Sequence, residues 1–405
     1  MTVAEAKPLG QLLRRPPRYG INAAAVPQGL GVPTYLRITD IDNSGRFVPE
    51  PRVGVAHPKS SDYRMGPGEL VFARTGASVG KSYLYDPRDG ELVYAGFLIN
   101  IAPDPTLLNP KYLSLFAHSK DYWDWIARTS VRSGQPGVNG REYAQLPVPV
   151  PDIEVQNTIA AVMTDVDDLI SGLERMIAKK QAIKQGMMQQ LLTGRTRLPG
   201  FATEWRDARL GSLGMFLKGR GIKRDDVRST GVACIRYGEI YTAFGDYTDE
   251  ARSFVTPDVA STALPIRRGD VLFAGSGETK AEIGMSLAYT GKRDAVAGGD
   301  IIVLRGTGFD PVFLASLLNS PAVSAQKARK GQGDAVVHIS SHALADVELK
   351  LPGSEEQGAI ATVIKDADAE ISALAGRLAK TRAIKQGMMQ QLLTGRTRLP
   401  VEDTV

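Results

Sequence analysis

Two stretches of the chain carry apolar residues at alternating steps of three and four positions. In the first stretch, Asp152 follows Pro151 as a suitable N-cap, and apolar positions then recur at helical spacing. They are Ile159, Val162, Val166, Leu169, Leu173, Met176, Ile183 and Met187. This is the spacing of the a and d positions of a heptad, so it predicts a long helix with a narrow apolar seam.

The second stretch lies near the C-terminus and follows a similar but less regular pattern, because Ile371 and Leu378 sit one residue off the strict heptad register. Ser354 and Gln357 stand in the order of a capping box, which predicts that a helix begins there. Both helices should end at Leu-Leu-Thr-Gly, where Gly194 and Gly395 can adopt the conformation that closes a helix. Each helix would span about 40 residues, or roughly 60 Å. The second set of apolar positions is Ile360, Val363, Ala367, Ile371, Leu374, Leu378, Ile384 and Met388.

An internal repeat explains why the two patterns agree. The string AIKQGMMQQLLTGRTRLP occupies residues 182–199 and recurs unchanged at residues 383–400, an offset of 383 − 182 = 201. The same offset places Gly76 on Gly277 and Gln156 on Gln357, among other matches. The chain is therefore a duplication whose halves share a scaffold but differ in detail between the matched positions.

Each half begins with a region rich in Gly, Pro, Tyr and β-branched residues. Runs such as Thr34–Ile41, Val271–Phe273 and Ile301–Leu304 predict short strands, and helical patterns such as Pro110–His118 lie between them. We therefore predict an α+β protein with two tandem globular domains that alternate with two long helices. The predicted division is residues 1–150 for the first domain, 151–196 for the central helix, 197–350 for the second domain, 351–396 for the C-terminal helix and 397–405 for a tail.

A narrow apolar seam on a long helix must be covered by another surface. Each helix could pack on its own domain, or the two helices could pair with each other. We favour an antiparallel coiled coil with one domain at each end, which gives pseudo-two-fold symmetry. Two related but different domains at a fixed separation would suit a bipartite, asymmetric target.

Composition and charge narrow the class of function. The net charge of +5 and the sequence pI of about 9.1 favour a polyanionic partner. The single cysteine, Cys234, excludes an internal disulfide and a cysteine-built metal site, and it fits a reducing cytosol. The N-terminus lacks a signal-peptide pattern, and no apolar run approaches the roughly 20 residues needed to cross a bilayer. A cytoplasmic protein without membrane association is expected.

Candidate DNA contacts lie in both globular domains. Arg and Lys neutralise phosphates, Arg reads guanine, and Asn or Gln reads adenine. The glycine-rich strings GQPG (134–137) and GQG (331–333) late in the two domains could bring backbone and an amide side chain close to DNA. For any single residue, a solvated surface charge is the alternative. The candidates are Arg18, Arg37, Arg74, Lys81, Arg132, Gln135, Asn139 and Arg141 in the first domain, and Lys218, Arg220, Lys223, Arg236, Lys280, Lys330, Gln332 and His338 in the second.

Motifs for catalysis are missing from the sequence. The string GASVGKS (76–82) has three residues between Gly and Gly-Lys where a phosphate loop has four. The string GSGETK (275–280) lacks the third glycine of a dinucleotide fingerprint. With four His and one Cys, a zinc site is not expected. We therefore expect a chain with no catalytic residues and no metal site.

The segment LLTGRTRLPGFATEW (191–205), with a second LLTGRTRLP at the C-terminus, resembles the paired helical regions of Type I restriction–modification specificity subunits. Residues 19–42, 68–85 and 269–284 resemble the target-recognition domains of the same family. The resemblance implies a subunit that reads double-stranded DNA and binds two modification subunits, which are S-adenosylmethionine-dependent adenine-N6 methyltransferases. Two restriction subunits that use ATP can join the complex. It also implies that S-adenosylmethionine, ATP and Mg²⁺ act in the partner subunits and that this chain binds none of them directly.

The resemblance makes the long helices the expected docking surface for these partners. The methionine pairs Met187–Met188 and Met388–Met389 suit an adaptable interface, with packing inside the chain as the alternative. Two other functions stay open at this point. The chain could be a stand-alone sequence-specific DNA-binding or regulatory protein, or it could be a non-catalytic scaffold.

Overall fold

The structure, a computed structural model, describes residues 5–132, 134–333, 335–397 and 399 of the 405-residue chain. The chain folds into two compact units. The first takes the chain up to Glu174 together with the chain from Gly376 onward, and the second takes Arg175–Ala375. Each unit thus holds one globular domain and a part of each long helix. The predicted tail, residues 397–405, lies outside the described residues except for Thr397 and Leu399.

The first domain contains two four-stranded sheets and three short helices, and a long helix follows it. The strands are β1 (Ala6–Pro8), β2 (Leu13–Tyr19), β3 (Val26–Pro27), β4 (Thr34–Leu36), β5 (Val53–Gly54), β6 (Leu70–Ala73), β7 (Ser82–Leu84), β8 (Leu92–Tyr94), β9 (Leu98–Pro103) and β10 (Pro147–Pro149). The helices are α1 (Pro110–Phe116), α2 (Lys120–Thr129), α3 (Gly140–Ala144) and the long α4 (Ile153–Leu191). The main sheet has the order β2-β9-β6-β7 and is antiparallel, and the second sheet has the order β3-β5-β4-β8.

The second domain repeats this plan with additional elements. Its strands are β11 (Arg206–Arg209), β12 (Gly214–Lys218), β13 (Val232–Ile235), β14 (Tyr247–Thr248), β15 (Ser253–Val255), β16 (Leu264–Ile266), β17 (Val271–Ala274), β18 (Ser276–Gly277), β19 (Ser286–Tyr289), β20 (Ala295–Ala297), β21 (Ile301–Gly306), β22 (Val337–His338) and β23 (Glu348–Leu351). The helices are α5 (Tyr237–Thr242), α6 (Pro257–Thr262), α7 (Pro311–Leu318), α8 (Pro321–Lys330), α9 (Ser341–Ala345) and the long α10 (Ser354–Leu393). The main sheet has the order β12-β21-β17-β19-β14.

Strand β6 shows how the first domain is layered. Leu70 and Phe72 pack into a core that they share with α1, α2 and α3, whereas Val71 and Ala73 pack on the opposite face against β4 and β8. Successive side chains of a strand point to opposite faces, so a strand that is covered on both faces is apolar along its whole length. Strand β17 is layered in the same way in the second domain.

The two long helices run antiparallel within each unit. In the first unit Asp167 of α4 pairs with Lys385 of α10 at 2.6 Å, and Glu174 pairs with Arg382 at 2.5 Å. Residue numbers therefore rise along α4 as they fall along α10. In the second unit the pairs are Lys180–Glu370 at 2.7 Å and Lys184–Asp368 at 2.5 Å. The predicted α+β class and the antiparallel pairing of the helices are confirmed.

The predicted seam of α4 is wrong in part. Leu169, Met176 and Ile183 are 42%, 46% and 52% exposed, whereas Met163 and Ile170 are buried. Met163 belongs to the core of the first domain, so the domain covers one side of α4 while α10 pairs along another. The buried face therefore includes the predicted positions Ile159 and Leu173 but excludes others, which leaves large apolar side chains exposed on α4.

The predicted capping box at the start of α10 is also wrong. Ser354 is the first residue of the helix, and the Gln357 side chain accepts a hydrogen bond from the backbone N–H of Asp310 at 3.0 Å and donates to the carbonyl of Pro352 at 2.9 Å. The equivalent Gln156 accepts from the N–H of Asn109 at 2.9 Å. These buried glutamines join the start of each long helix to the loop before the first helix of its domain's helical layer.

No helix in the part of the chain that the structure describes is both long enough and apolar enough to cross a membrane.

Candidate nucleic-acid interface

A glycine-rich loop joins the neighbouring strands β6 and β7 of the main sheet in the first domain. We call residues 74–79 the first glycine loop. The N–H of Gly80 closes it by donating to the carbonyl of Ala73 at 2.9 Å, and the buried Tyr122 hydroxyl donates to the carbonyl of Gly80 at 2.7 Å. Gly80 has φ of +88°, which an L side chain rarely adopts. Helix α2 thus holds the base of the loop in place.

The first glycine loop pairs with the segment that precedes α3. Gly76 donates to the carbonyl of Pro136 at 3.0 Å, Val138 donates to the carbonyl of Arg74 at 2.9 Å, and Thr75 forms a β-bridge with Gly137. We call the surface made by the first glycine loop, residues 131–141 and Tyr19 the first edge. Ser133 of this surface lies outside the described residues.

The first edge brings five of the predicted first-domain residues together. The guanidinium of Arg74 lies 5.1 Å from the centre of the Tyr19 ring, and the Gln135 side chain lies against Gly76. Arg132 pairs with Glu142 at 2.5 Å. The exposed Arg141 and Asn139 line a shallow cavity with Tyr19, Pro16 and Pro17. The Asn139 side chain also caps α3 by accepting from the N–H groups of Arg141 and Glu142 at 2.9 and 3.0 Å.

The other three predicted residues of the first domain lie away from this edge. Arg18 donates to the carbonyl of Asp62 at 2.7 Å and lies over the ring of Tyr63. Arg37 makes an ion pair at 2.7 Å with the buried Asp40. The Lys81 ammonium donates to the carbonyl of Ile41 at 3.4 Å. Each cation has a partner inside the domain, and a DNA-binding role for these residues stays a prediction.

The second domain has the same loop in a longer form. We call residues 275–283 the second glycine loop. The N–H of Gly284 closes it by donating to the carbonyl of Ala274 at 3.1 Å, and the buried Lys327 ammonium donates to the carbonyl of Gly284 at 2.6 Å. Burial lowers the pKa of Lys327 to about 7. Lys327 of α8 therefore holds the base of the second glycine loop, as Tyr122 of α2 holds the base of the first.

The second glycine loop pairs with the segment before α9 through strands β18 and β22. Ser276 lies opposite His338, and the Ser276 hydroxyl is 2.8 Å from Nδ1 of His338. We call the surface made by the second glycine loop, residues 330–340 and Lys218 the second edge; Asp334 lies outside its described residues. A cavity in this edge is lined by four of the predicted residues, Lys218, Lys330, Gln332 and His338.

The remaining predicted residues of the second domain lie at or beside this edge. Lys280 is in the exposed part of the second glycine loop, and Arg220 is exposed just after β12. The N–H of Lys223 donates to the Asp226 carboxylate at 2.6 Å. Arg236 pairs with Glu239 at 3.2 Å, in the same place where Arg37 pairs with its own acid in the first domain. Arg236 therefore has a partner inside the fold, and its predicted role in DNA binding stays untested by this geometry.

The two edges are equivalent, but the two glutamines are not. The Thr75–Gly137 bridge becomes the Ser276–His338 pair when 201 is added to each number. By the same offset of 201, Gln135 corresponds to Val336 and Gln332 corresponds to Val131. The pairing segments that contain GQPG and GQG therefore correspond, but Gln135 and Gln332 do not occupy equivalent positions.

Among the described residues, no group of three or more His, Cys, Asp or Glu side chains could hold a metal ion.

Comparison with known proteins finds similarity to one family. Residues 43–185 match the model of the Type I restriction modification DNA specificity domain. The MjaVIII specificity subunit of Methanocaldococcus jannaschii is 24% identical over 301 residues, which cover 71% of this chain and 70% of the relative. The putative MjaX specificity subunit of the same organism is 24% identical over 360 residues, 83% and 80% of the two chains. This chain is therefore similar over most of its length to type I restriction–modification specificity subunits.

Solved structures have the same fold as this chain. A chain from a study of complex assembly and conformational transition in a type I restriction–modification system gives a TM-score of 0.57 at 19% identity, covering 98% of this chain and 99% of that one. The S subunit from M. genitalium gives 0.60 at 13% identity, covering 96% and 95%. The HsdS subunit from Thermoanaerobacter tengcongensis gives 0.51 at 18% identity, covering 97% of each chain.

The four methionines of the duplicated block are half-buried. Met187 and Met188 pack against the core of the second unit, and Met388 and Met389 pack against that of the first. Met188 and Met389 also line grooves beside the turn before the second short helix of each domain's helical layer. Part of each methionine is therefore used for packing inside the chain, and contact with a partner stays a prediction.

Proposed function

We propose that this chain is the DNA-recognition subunit of a type I restriction–modification complex and that each domain reads one half of a bipartite, asymmetric target. The observation that carries this proposal is the pair of equivalent edges. Each edge is built on the same closed glycine loop and the same pairing segment, yet the two present different side chains. A duplicated frame with different side chains suits two different half-sites in one target.

The chemistry of the edges supports DNA as the ligand. The first edge offers the cations Arg74, Arg132 and Arg141 around the Gln135 amide, and the second offers Lys218 and Lys330 beside Gln332 and His338. Cations on such a surface neutralise phosphates and fix the register of the protein on the duplex. Amide and imidazole groups can exchange hydrogen bonds with base edges, which is where sequence is read. A stand-alone regulator and a non-catalytic scaffold are the alternatives, and the similarity to specificity subunits does not favour either of them.

We propose that methyl transfer and cleavage belong to partner subunits. Two modification subunits would bind the specificity subunit, and restriction subunits would join them where they exist. S-adenosylmethionine, ATP and Mg²⁺ would act in those partners, and this chain would contribute no catalytic residue. The duplicated helical block is the natural docking surface, because identical sequences in both halves can bind two copies of one partner.

Exposed apolar side chains in this block support docking. Ile183 and Ile384 are equivalent through the offset of 201, and both are 52% exposed. Gly186 and Gly387 lie one turn further along, and nothing would touch a Cβ atom at either position. An open apolar patch with no bulk beside it can accept a partner helix closely. The length of α4 and α10 would set the number of unread bases between the half-sites.

The experiment changes one glutamine in each edge. The chain is purified with its modification subunit, and methylation is measured on duplexes that carry single base-pair changes in either half of the target. We expect Gln135→Ala to alter base preference in the first half only and Gln332→Ala to alter it in the second half only. Each loss should be about tenfold, because one base-reading contact is removed.

The control is Gln28→Ala, since Gln28 is exposed in the first domain and donates to the nearby carbonyl of Val32 at 3.1 Å. A variant of either edge that weakened both halves equally would contradict the assignment of one half-site to each domain.

A further inference from the structure

One residue beside each edge was not among the candidates from the sequence. Phe97 directly precedes β9, and Asp300 directly precedes β21, the corresponding strand of the other domain. The N–H of Arg74 donates to the carbonyl of Phe97 at 3.0 Å, and the N–H of Gly275 donates to the carbonyl of Asp300 at 2.7 Å. Arg74 and Gly275 are equivalent through the offset of 201. The hydrogen bonds therefore make Phe97 and Asp300 equivalent, although their numbers differ by 203.

Both side chains are open to solvent next to fully buried strand residues. Phe97 is 54% exposed, while Leu98 and Ile99 that follow it are buried. Tyr19, which pairs with Ile99 across the sheet, is 41% exposed and lies under the Arg74 guanidinium. The large apolar surface of Phe97 thus stands beside a cation and an aromatic ring. A phenylalanine in such a place is available to contact a base.

Asp300 lies in a strained part of the second edge. Its φ is 60° and that of Ile222 is 42°, and these are the non-glycine residues with positive φ in the described chain. Ile222 lies beside Gly298, because a Cβ atom built there would be 3.4 Å from the Cβ atom of Ile222. A Cβ atom on Gly275 would come within 2.9 Å of the Asp300 carbonyl oxygen. Strained backbone of this kind clusters at functional sites.

The Asp300 carboxylate is suited to accept a hydrogen bond from a base and not to contact a phosphate. It lines the cavity of the second edge with Lys218, Lys330, Gln332 and His338. Among the described residues, no ion pair joins Asp300 to a cation of this cavity. Phosphates of DNA repel a carboxylate, whereas the exocyclic amino groups of cytosine and adenine donate hydrogen bonds to one in the major groove. An acid among cations therefore suits a base-reading position.

We propose that Phe97 and Asp300 are equivalent specificity-determining residues, one for each half-site. Asp300 accepts a hydrogen bond from the amino group of a cytosine or adenine in the second half-site. Phe97 contacts the C5-methyl group of a thymine in the first half-site. This inference rests on the proposed function, because it needs the edges to face DNA.

The experiment uses the chain bound to its modification subunit and a panel of duplexes with every single base-pair change in both half-sites. For Asp300→Asn we expect about a tenfold change of base preference at one position of the second half, with the first half unchanged. Asparagine tolerates the same backbone conformation, removes the negative charge and replaces one acceptor oxygen with an NH2 donor. Asp300→Gly removes the carboxylate and the strain together, and it should lose about tenfold preference for cytosine or adenine at the same position. Phe97→Ser should lose about tenfold preference for thymine at one position of the first half only.

Asp294→Asn is the matched control, since it removes an exposed carboxylate of the same domain. An unchanged base preference in Asp300→Asn and Asp300→Gly, or a uniform loss of methylation over the whole panel, would overturn the inference. A wild-type complex that shows no preference for two half-sites would instead overturn the proposed function. The two failures are therefore distinguishable in one panel.

Discussion

The position after the first helix of the helical layer carries His118 in one domain and Asn319 in the other. Burial lowers the pKa of His118 to about 4, and the nearby cations Lys385 and Lys111 lower it further against the opposing effect of Asp42 and Asp167. Asn319 instead donates hydrogen bonds to Asp246 and to the carbonyl of Ser286 at 2.8 Å each. A neutral polar side chain thus occupies this position in both domains near neutral pH.

We predict that His118→Asn removes a source of acid sensitivity from the first unit. The folded pKa of about 4 lies below the ordinary value of 6.5, so the unfolded chain binds the proton more readily between these pH values. The stability that depends on neutral His118 is complete above pH 6.5 and falls as the pH drops toward 4. The loss should reach up to about 3 kcal/mol. Melting temperatures of both proteins at pH 7.5 and pH 4.5 measure the difference.

His57→Asn is the control, because His57 is exposed in the same domain. Parallel pH profiles for the wild type and His118→Asn would contradict this role of the half-buried His118.

Residue types in the sequence indicate chemistry but not where a side chain points. Arg74, Gln135 and Asn139 were predicted as DNA contacts, and the fold gathers them at one edge. Arg37 was predicted on the same grounds, but its guanidinium pairs with buried Asp40. Phe97 could not be found, because only the hydrogen bond between its strand and the glycine loop places it at the edge.

At the scale of elements, the periodicity of the long helices was sufficient to predict their existence and direction but not their buried face. The predicted helices 151–196 and 351–396 correspond to α4 (Ile153–Leu191) and α10 (Ser354–Leu393). Heptad spacing identifies apolar positions, but the domain that packs on the helix decides which of them are covered. The uncovered ones, Ile183 and Ile384 among them, are the ones that a partner can use.

We predict that Ile183→Lys and Ile384→Lys each remove one modification subunit from the complex. Both side chains are half-exposed on equivalent turns, so a charge there should leave the fold intact while it disrupts an apolar contact. The double variant should bind no modification subunit. Native mass spectrometry of the purified complex counts the subunits.

Lys179→Glu, at an exposed polar position of α4, is the control for a change of charge on the helix. Two bound subunits in the double variant would show that the partner docks elsewhere.

At the scale of the whole molecule, the duplication determines the organisation. Residue patterns and the offset of 201 predicted two domains and two helices, because a repeated sequence folds into a repeated structure. The compact units could not be predicted, since each combines one domain with parts of both long helices that are distant in sequence. Neither the sequence nor the fold gives the DNA target sequence, because that sequence depends on the contacts that each edge makes with bases.

We propose that this one chain gives a methyltransferase complex its bipartite target. Sequencing of N6-methyladenine in genomic DNA from the source cell, with and without the gene for this chain, tests this proposal. We expect one methylated motif to disappear on deletion, and we expect this motif to have two different half-sites separated by unread bases. A cell that expresses the complete complex and keeps the same methylated motifs after deletion would contradict the proposal.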